Sequence, residues 1–148
     1  MASRVNEVNP LTLAVMKAHA ALYQRSGGRI GHRMLGVPSL LLHTTGARSG
    51  IARTSCLAYA SDGDAYLVVA SNFGGPHYPG WYHNLAAEPS AEIRAGRSRL
   101  RVTSRVVFDA DPDYDRLWKI VNDNNRNTYR NYQRTTDRRI PVIVLSPV

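Results

Sequence analysis

The sequence predicts a mainly β, α+β protein: a small β-barrel with peripheral helices. Several short apolar or alternating runs are separated by turn residues, helical stretches are few, and one apolar run returns at the C-terminus. Strands do not alternate regularly with helices, which argues against a doubly wound parallel sheet.

The first element reads as a helix. Asn9 can cap it, Pro10 suits its first position, and Leu11 to Arg25 run without a breaker as far as Gly27-Gly28. Leu11, Ala14, Val15, Ala18 and Leu22 share one face at spacings of three and four, so that face is expected to cover one side of the barrel. A second reading, with Lys17, His19 and Arg25 on the helix, makes it a lever that leans on a membrane surface or closes over a substrate.

A Gly-rich passage through Gly27, Gly28, Gly31 and Gly36 leads to Pro38, which opens a buried strand from Ser39 to Thr44. Thr45-Gly46-Ala47-Arg48-Ser49-Gly50 is turn chemistry with basic and hydroxyl groups inside it. Ser55 to Ala60 is a second strand, Ser61-Asp62-Gly63-Asp64 a hairpin signal, and Tyr66 to Ala70 a central third strand, together a meander. Pro79 begins a short helix through Ala87, stopped by Pro89, with Trp81 and Leu85 on one side. Ala91 to Gly96 and Ser98 to Phe108 form a further hairpin. In its second arm Leu100, Val102 and Ser104 alternate with Arg99, Arg101 and Thr103, as on a sheet with one wet face.

Asp111 caps and Pro112 starts another helix, where Tyr114, Leu117, Trp118 and Val121 repeat at helical spacing. A polar stretch from Asn122 to Arg139 precedes the closing strand, Ile140 to Leu145. Residues 1–30 are thus read as an N-terminal helix and lead-in, and residues 31–148 as the barrel domain.

The 148 residues carry 19 basic and 11 acidic side chains, a formal charge of +8, which favours an anionic partner. One cysteine, Cys56, excludes an internal disulfide framework and a Cys-based zinc site, and agrees with a reducing compartment. It sits in a predicted apolar strand and reads as a small core residue rather than a nucleophile. No charged start followed by a long apolar run marks a secretory signal, and no stretch approaches the roughly 20 apolar residues of a membrane span.

Familiar catalytic constellations are missing. His19, His32, His43, His77 and His83 form no HExxH, and none lies four residues from another, so no metal site is expected. Ser49 lies in GARSG, which lacks the nucleophile-elbow spacing, and there is neither a GxGxxG after a strand nor a Walker loop. A chain so poor in acid–base pairs points to borrowed chemistry: an organic cofactor performs the hard step while the protein binds and orients.

Three clusters could hold such a cofactor. Arg48, Ser49 and Arg53 lie on a turn and the strand after it, a setting suited to phosphate; the alternative is solvated arginines. Ser71-Asn72-Phe73-Gly74-Gly75 follows a central strand, where glycine lets backbone approach a ligand, or is a plain loop. Trp81-Tyr82-His83-Asn84, with Tyr129 and Tyr132, offers aromatic faces for a ring-binding cleft, although Trp81 and Tyr82 also suit core packing.

Four segments in order, Leu40-Leu41-Leu42-His43-Thr44-Thr45-Gly46-Ala47-Arg48-Ser49-Gly50, Val68-Val69-Ala70-Ser71-Asn72, Pro79-Gly80-Trp81-Tyr82-His83-Asn84-Leu85 and Thr136-Asp137-Arg138-Arg139-Ile140-Pro141-Val142, closely resemble the deazaflavin-dependent nitroreductase family of actinobacteria. The resemblance covers about Gly31 to Leu145. It implies a split β-barrel of the FMN-binding-like type and use of coenzyme F420, an 8-hydroxy-5-deazaflavin that delivers hydride from C5. The cofactor's phosphodiester and oligoglutamate tail would account for part of the positive charge. By family position, Arg48, Ser49 and Arg53 would meet the phosphate and tail. Ser71, Asn72 and Gly74 would lie near the phosphate and deazaflavin, while Trp81 and Asn84 would shape the supporting loop.

Departures bear on substrate more than on cofactor. Ala47 replaces the first basic residue of the family's TTGRKSG, Asn72 stands where members often carry Lys, and of three substrate-side tyrosines only Tyr129 and Tyr132 can be placed, with Arg126 near the first. The resemblance implies an F420H2-dependent reductase acting on a planar, electron-poor, small-molecule acceptor, quinone-like or nitroaromatic, with Tyr129 or Tyr132 bonding its oxygen. A non-catalytic F420 carrier and an FMN- or haem-binding split barrel remain alternatives. A nucleic-acid binder drawn from Arg94, Arg97, Arg99, Arg101 and Arg105 is disfavoured, because no aromatic residues interleave. Residence is expected in the cytoplasm, with room for peripheral contact at the inner face of the membrane, and the oligomeric state is open.

Overall fold

The computed structural model describes residues 10–28, 33, 34 and 36–148, with Arg33 and Met34 described by backbone alone. Asn9 as a cap, and Gly31 and His32, lie outside these residues. The chain runs through α1 (Pro10–Arg25), β1 (Arg33–Met34), β2 (Val37–Thr45), β3 (Ala52–Ala58), β4 (Ala60–Asp62), β5 (Ala65–Val69), α2 (Gly80–Ala87), β6 (Ser90–Ala95), β7 (Ser98–Val107), α3 (Tyr114–Asn124), α4 (Thr128–Gln133) and β8 (Val142–Pro147).

Among the described residues every strand pairing is antiparallel. The order is β1-β2-β6-β7-β8-β5-β4, with β3 also paired to β2. The second strand expected from sequence, Ser55 to Ala60, is therefore two strands that serve opposite ends of this sheet. β3 pairs with β2 in the register Leu41↔Cys56, whereas β4 pairs with β5 in the register Ser61↔Tyr66. Only Tyr59 separates them, and its N–H donates to the Pro38 carbonyl at 3.0 Å. One residue cannot span an open sheet, so the two ends must curl toward each other: this closes the expected barrel by half, through a strand break that the expected meander lacked.

Alternation along the strands sorts the core into layers. Leu40 and Leu42 of β2 point inside with Val68, Ile93, Val102, Ile143 and Leu145, and Trp81 and Leu85 of α2 close that interior. Leu67, Val69 and Val142 point the other way, against Tyr114, Leu117 and Val121 of α3 and Tyr129 of α4. Each fully buried aliphatic side chain contributes about 1.5–3 kcal/mol, so both faces of the central strands stabilise the fold.

Three helical expectations need correction. α3 begins at Tyr114 rather than Pro112, because Asp111 is spent on a turn: its Oδ1 accepts the Asp113 N–H at 2.9 Å and its carbonyl the Tyr114 N–H at 3.0 Å. The polar stretch after Asn122 contains α4. Buried Asn122 makes it possible, donating to the Trp118 carbonyl at 2.8 Å and accepting the Arg130 N–H at 2.9 Å.

The third correction concerns α1, whose expected face is turned outward, with Leu11, Val15 and Leu22 at 71%, 61% and 49% exposure. The opposite side packs on the sheet, where buried Tyr23 joins Leu41 and Cys56. Tyr23 Oη donates to the Ser39 carbonyl at 2.9 Å, lies 3.1 Å from the Arg94 carbonyl and accepts the Gly96 N–H at 2.7 Å. A buried hydroxyl needs such partners, and they fix the rotation of α1 more firmly than its aliphatic stripe can. Gly28 completes the anchor: a Cβ there would lie 1.6 Å from the Gly96 carbonyl oxygen.

Candidate active site

Two adjoining cavities open on the same side of the half-barrel, at the ends of β2 and β3 and beside α2. The first, about 640 Å³, is lined mainly by residues with polar or basic side chains. Its floor is the 45–51 turn, closed by Gly50 N–H to the Gly46 carbonyl at 2.9 Å and Gly46 N–H to the Ile51 carbonyl at 2.8 Å. Ser49 Oγ accepts the Ile51 N–H at 3.2 Å, which stiffens the turn locally. Asn84 of α2 ties it to the neighbouring helix: its Oδ1 accepts the Ala47 N–H at 2.9 Å and its Nδ2 donates to Thr44 Oγ1 at 3.0 Å. Arg48, Ser49, Arg53 and Asn84 all line this cavity, together with Trp81. Among the described residues neither arginine is ion-paired, so their guanidinium groups are free to meet an anion.

The second cavity, about 600 Å³, is largely apolar. Leu13, Met16 and Ala20 from the inner side of α1 form one wall, Ser71, Asn72 and Phe73 another, and Tyr129 and Tyr132 of α4 a third. Tyr132 meets Phe73 edge-to-face at 6.1 Å and Tyr129 at 6.5 Å. Burial pushes both phenols above their ordinary pKa, so each remains a protonated hydrogen-bond donor at neutral pH. Cys56 also borders this space, but it is buried and its thiol is pushed up to about 11, as a core residue rather than a nucleophile should be. Thr54, Ser55 and Trp81 line both cavities, so the two adjoin and together make a groove with a cationic and an apolar end.

The wall at Ser71–Phe73 has unusual backbone. Asn72, Phe73 and Gly74 follow one another at φ 44°, 57° and 74°, a left-handed run that costs energy at Phe73 in particular. Asn72 Nδ2 donates to the His77 carbonyl at 3.0 Å, which helps hold it. Gly74 itself lines neither cavity. A Cβ on it would lie 2.2 Å from Thr135 Oγ1 and 2.8 Å from the Tyr132 carbonyl oxygen, so a glycine is needed there for close packing behind the wall.

Sequence reasoning missed Thr54 and Ser55 in the polar cavity and the inner face of α1 in the apolar one, whereas His83 and Phe73, each named inside a candidate cluster, do line them. Alternation along β3 puts Ser55 on the same side as Arg53, a signal that could have found it. The direction of Phe73 was not legible, because it depends on a left-handed backbone. The arginines of the β6–β7 hairpin stand elsewhere. Arg99 pairs with Glu92 at 2.7 Å, and Arg105 with Asp111 and Asp113 at 3.1 Å each, which spends part of that stripe's charge internally.

The family model of F420H(2)-dependent quinone reductases matches residues 15–147. An F420H(2)-dependent quinone reductase of Mycobacterium tuberculosis strain H37Rv is 57% identical over 133 residues, 89% of this chain and 89% of that protein. Among solved structures, an F420-H2 dependent reductase is 34% identical with a TM-score of 0.65, over 74% of this chain and 94% of its own. A haem storage protein of Vibrio cholerae, HutZ, is 10% identical with a TM-score of 0.58, over 90% of each chain, and shares the split-barrel architecture alone. On this sequence and structural kinship, the chain belongs to the F420H(2)-dependent quinone reductase family, oxidoreductases whose cofactor is coenzyme F420.

Proposed function

We propose that this protein transfers a hydride from F420H2 to a planar, electron-poor, small-molecule acceptor of the quinone type. The observation that carries the reading is the groove whose polar end holds Arg48 and Arg53 and whose apolar end holds Tyr129 and Tyr132. These residues fit the cofactor's chemistry: a polyanionic tail suits the two guanidiniums and a flat heterocycle the apolar end. When bound, F420H2 supplies the hydride.

The chain's own contribution is binding, alignment and proton control. Arg48 and Arg53 would hold the anionic tail, with Ser49 and Asn84 keeping the turn beneath them in shape. Ser71 and Asn72 present their side chains beside the apolar space, and Trp81 joins its two ends. Leu13, Met16 and Ala20 keep water away from the reacting face. Correct alignment alone supplies roughly 7–11 kcal/mol, so no strong base is needed. Tyr132 Oη, kept protonated by burial, donates a hydrogen bond to the acceptor oxygen on which negative charge develops, with Tyr129 beside it.

Among the described residues no helix is long and apolar enough to cross a membrane. The outward stripe of α1 supports peripheral contact with a lipid surface, which would bring the groove near a membrane-dissolved quinone. A single, buried, reduced thiol fits work in the cytoplasm.

Steady-state oxidation of F420H2 by the purified protein, with benzoquinones, naphthoquinones and a nitroaromatic as acceptors, tests the reading. Turnover with quinones is expected to exceed turnover with the nitroaromatic. Tight F420 binding without turnover of any acceptor would instead establish a carrier, which needs the polar end of the groove alone.

A further inference from the structure

Arg138 is half-buried, and among the described residues no carboxylate pairs with it. Its guanidinium donates instead to three backbone carbonyls of one loop: Nε to Gly75 at 2.9 Å, Nη1 to Ala70 at 3.1 Å and Nη2 to Ser71 at 2.7 Å. Its Cζ stands 4.7 Å from the centre of the Tyr78 ring, a cation–π contact that holds the fork in plane. Burial lowers its pKa, yet guanidinium remains charged throughout the physiological range. A cation turned toward carbonyl oxygens has one evident use, which is to fix the backbone that carries them.

That backbone is the left-handed run at Asn72, Phe73 and Gly74. Residues held in such conformations persist only where their surroundings over-determine them, and Arg138 grips the loop on both sides of the run. The chain that delivers Arg138 is itself braced from α4. Gln133 Nε2 donates to the Arg138 carbonyl at 2.8 Å, and Gln133 Oε1 accepts the Ile140 N–H at 2.9 Å. Thr135 Oγ1 adds a contact to the Gly74 carbonyl at 3.1 Å. The neighbour of Gln133 in the sequence is Tyr132, whose ring meets Phe73 across the cavity.

We propose that Arg138 is a positioning residue for the reaction. Lining neither cavity, it locks the Ser71–Phe73 wall in place and couples that wall mechanically to the helix bearing Tyr129 and Tyr132. The proposal deepens the reductase reading and rests on it for its catalytic consequence. The loop itself can be probed without cofactor.

Arg138→Lys keeps the charge but loses the planar fork; Arg138→Ala removes both. Hydrogen–deuterium exchange on the cofactor-free protein is expected to rise at least tenfold at the Gly74 and Gly75 amides in both variants, while sheet amides stay protected. With F420H2 and a quinone, kcat is expected to fall about tenfold or more while the acceptor KM stays within twofold, since a displaced wall misaligns reactants without removing their contacts. Methylguanidinium added to Arg138→Ala should restore both loop protection and kcat. Loop exchange equal to wild type, or exchange rising equally throughout the sheet, overturns the proposal. A protected loop in wild type without F420 binding would instead overturn the cofactor reading and leave the Arg138 result legible.

Discussion

Tyr132 and Tyr129 stand on one short helix, six and a half ångströms apart between ring centres. Tyr132 is the more accessible of the two and the one in contact with Phe73, which makes its hydroxyl the better donor to an acceptor. A hydrogen bond to developing charge is worth about 1.5–3 kcal/mol, so Tyr132→Phe should lower acceptor turnover roughly 10- to 100-fold. F420 affinity should stay within twofold, as measured by fluorescence titration. Burial raises the phenol's pKa, so the protonated donor persists below its ordinary value near 10, and loss of activity through its ionisation should appear only above about pH 10. Lost F420 affinity in Tyr132→Phe would instead put this residue on the cofactor. At this scale the sequence was most legible where chemistry and turn signals coincide, as in placing Arg48, Ser49 and Arg53 together, which the structure sets around one cavity. It was least legible at Gly74, where the same freedom from a side chain serves ligand approach or internal packing, and the close neighbours Tyr132 and Thr135 come only from the fold.

α1 illustrates how an element's existence can be plain while its orientation is not. Its Pro10 start and its end near Gly27 follow local rules, but it has apolar residues on two sides, and aliphatic spacing favours the wrong one. Tyr23, whose hydroxyl joins three backbone groups, sets the rotation through partners distant in sequence. The β3–β4 break at Tyr59 and the late start of α3 have the same origin, since each depends on a partner brought near by the tertiary fold. The outward face left by this rotation carries Leu11, Val15 and Leu22, and the helix contains no carboxylate. Sedimentation with vesicles of anionic phospholipid should therefore carry down the wild-type protein, whereas replacing Leu11, Val15 and Leu22 with Ser should release it while leaving turnover of a water-soluble quinone intact. Equal sedimentation of both proteins would remove α1 as the contact.

Across the whole molecule, the curl of the sheet joins a cationic turn at one strand end to an aromatic helix near the C-terminus. Periodicity alone could not bring these two regions together, because β3 and β4 look like a single strand until the two ends of the sheet meet. The net charge of +8 gains meaning from this geometry: among the described residues Arg99 and Arg105 are paired with carboxylates, while Arg48 and Arg53 are not. The central claim is that this groove holds F420 by its anionic tail. The most direct test is a fluorescence titration of the purified protein with F420, run beside FMN at about 20 mM and about 150 mM salt, over which the screening length shortens from about 20 Å to about 8 Å. Saturable F420 binding, weakened by salt, with little binding of FMN is the predicted result; FMN binding as tight as or tighter than F420, or no F420 binding at either salt, would contradict it.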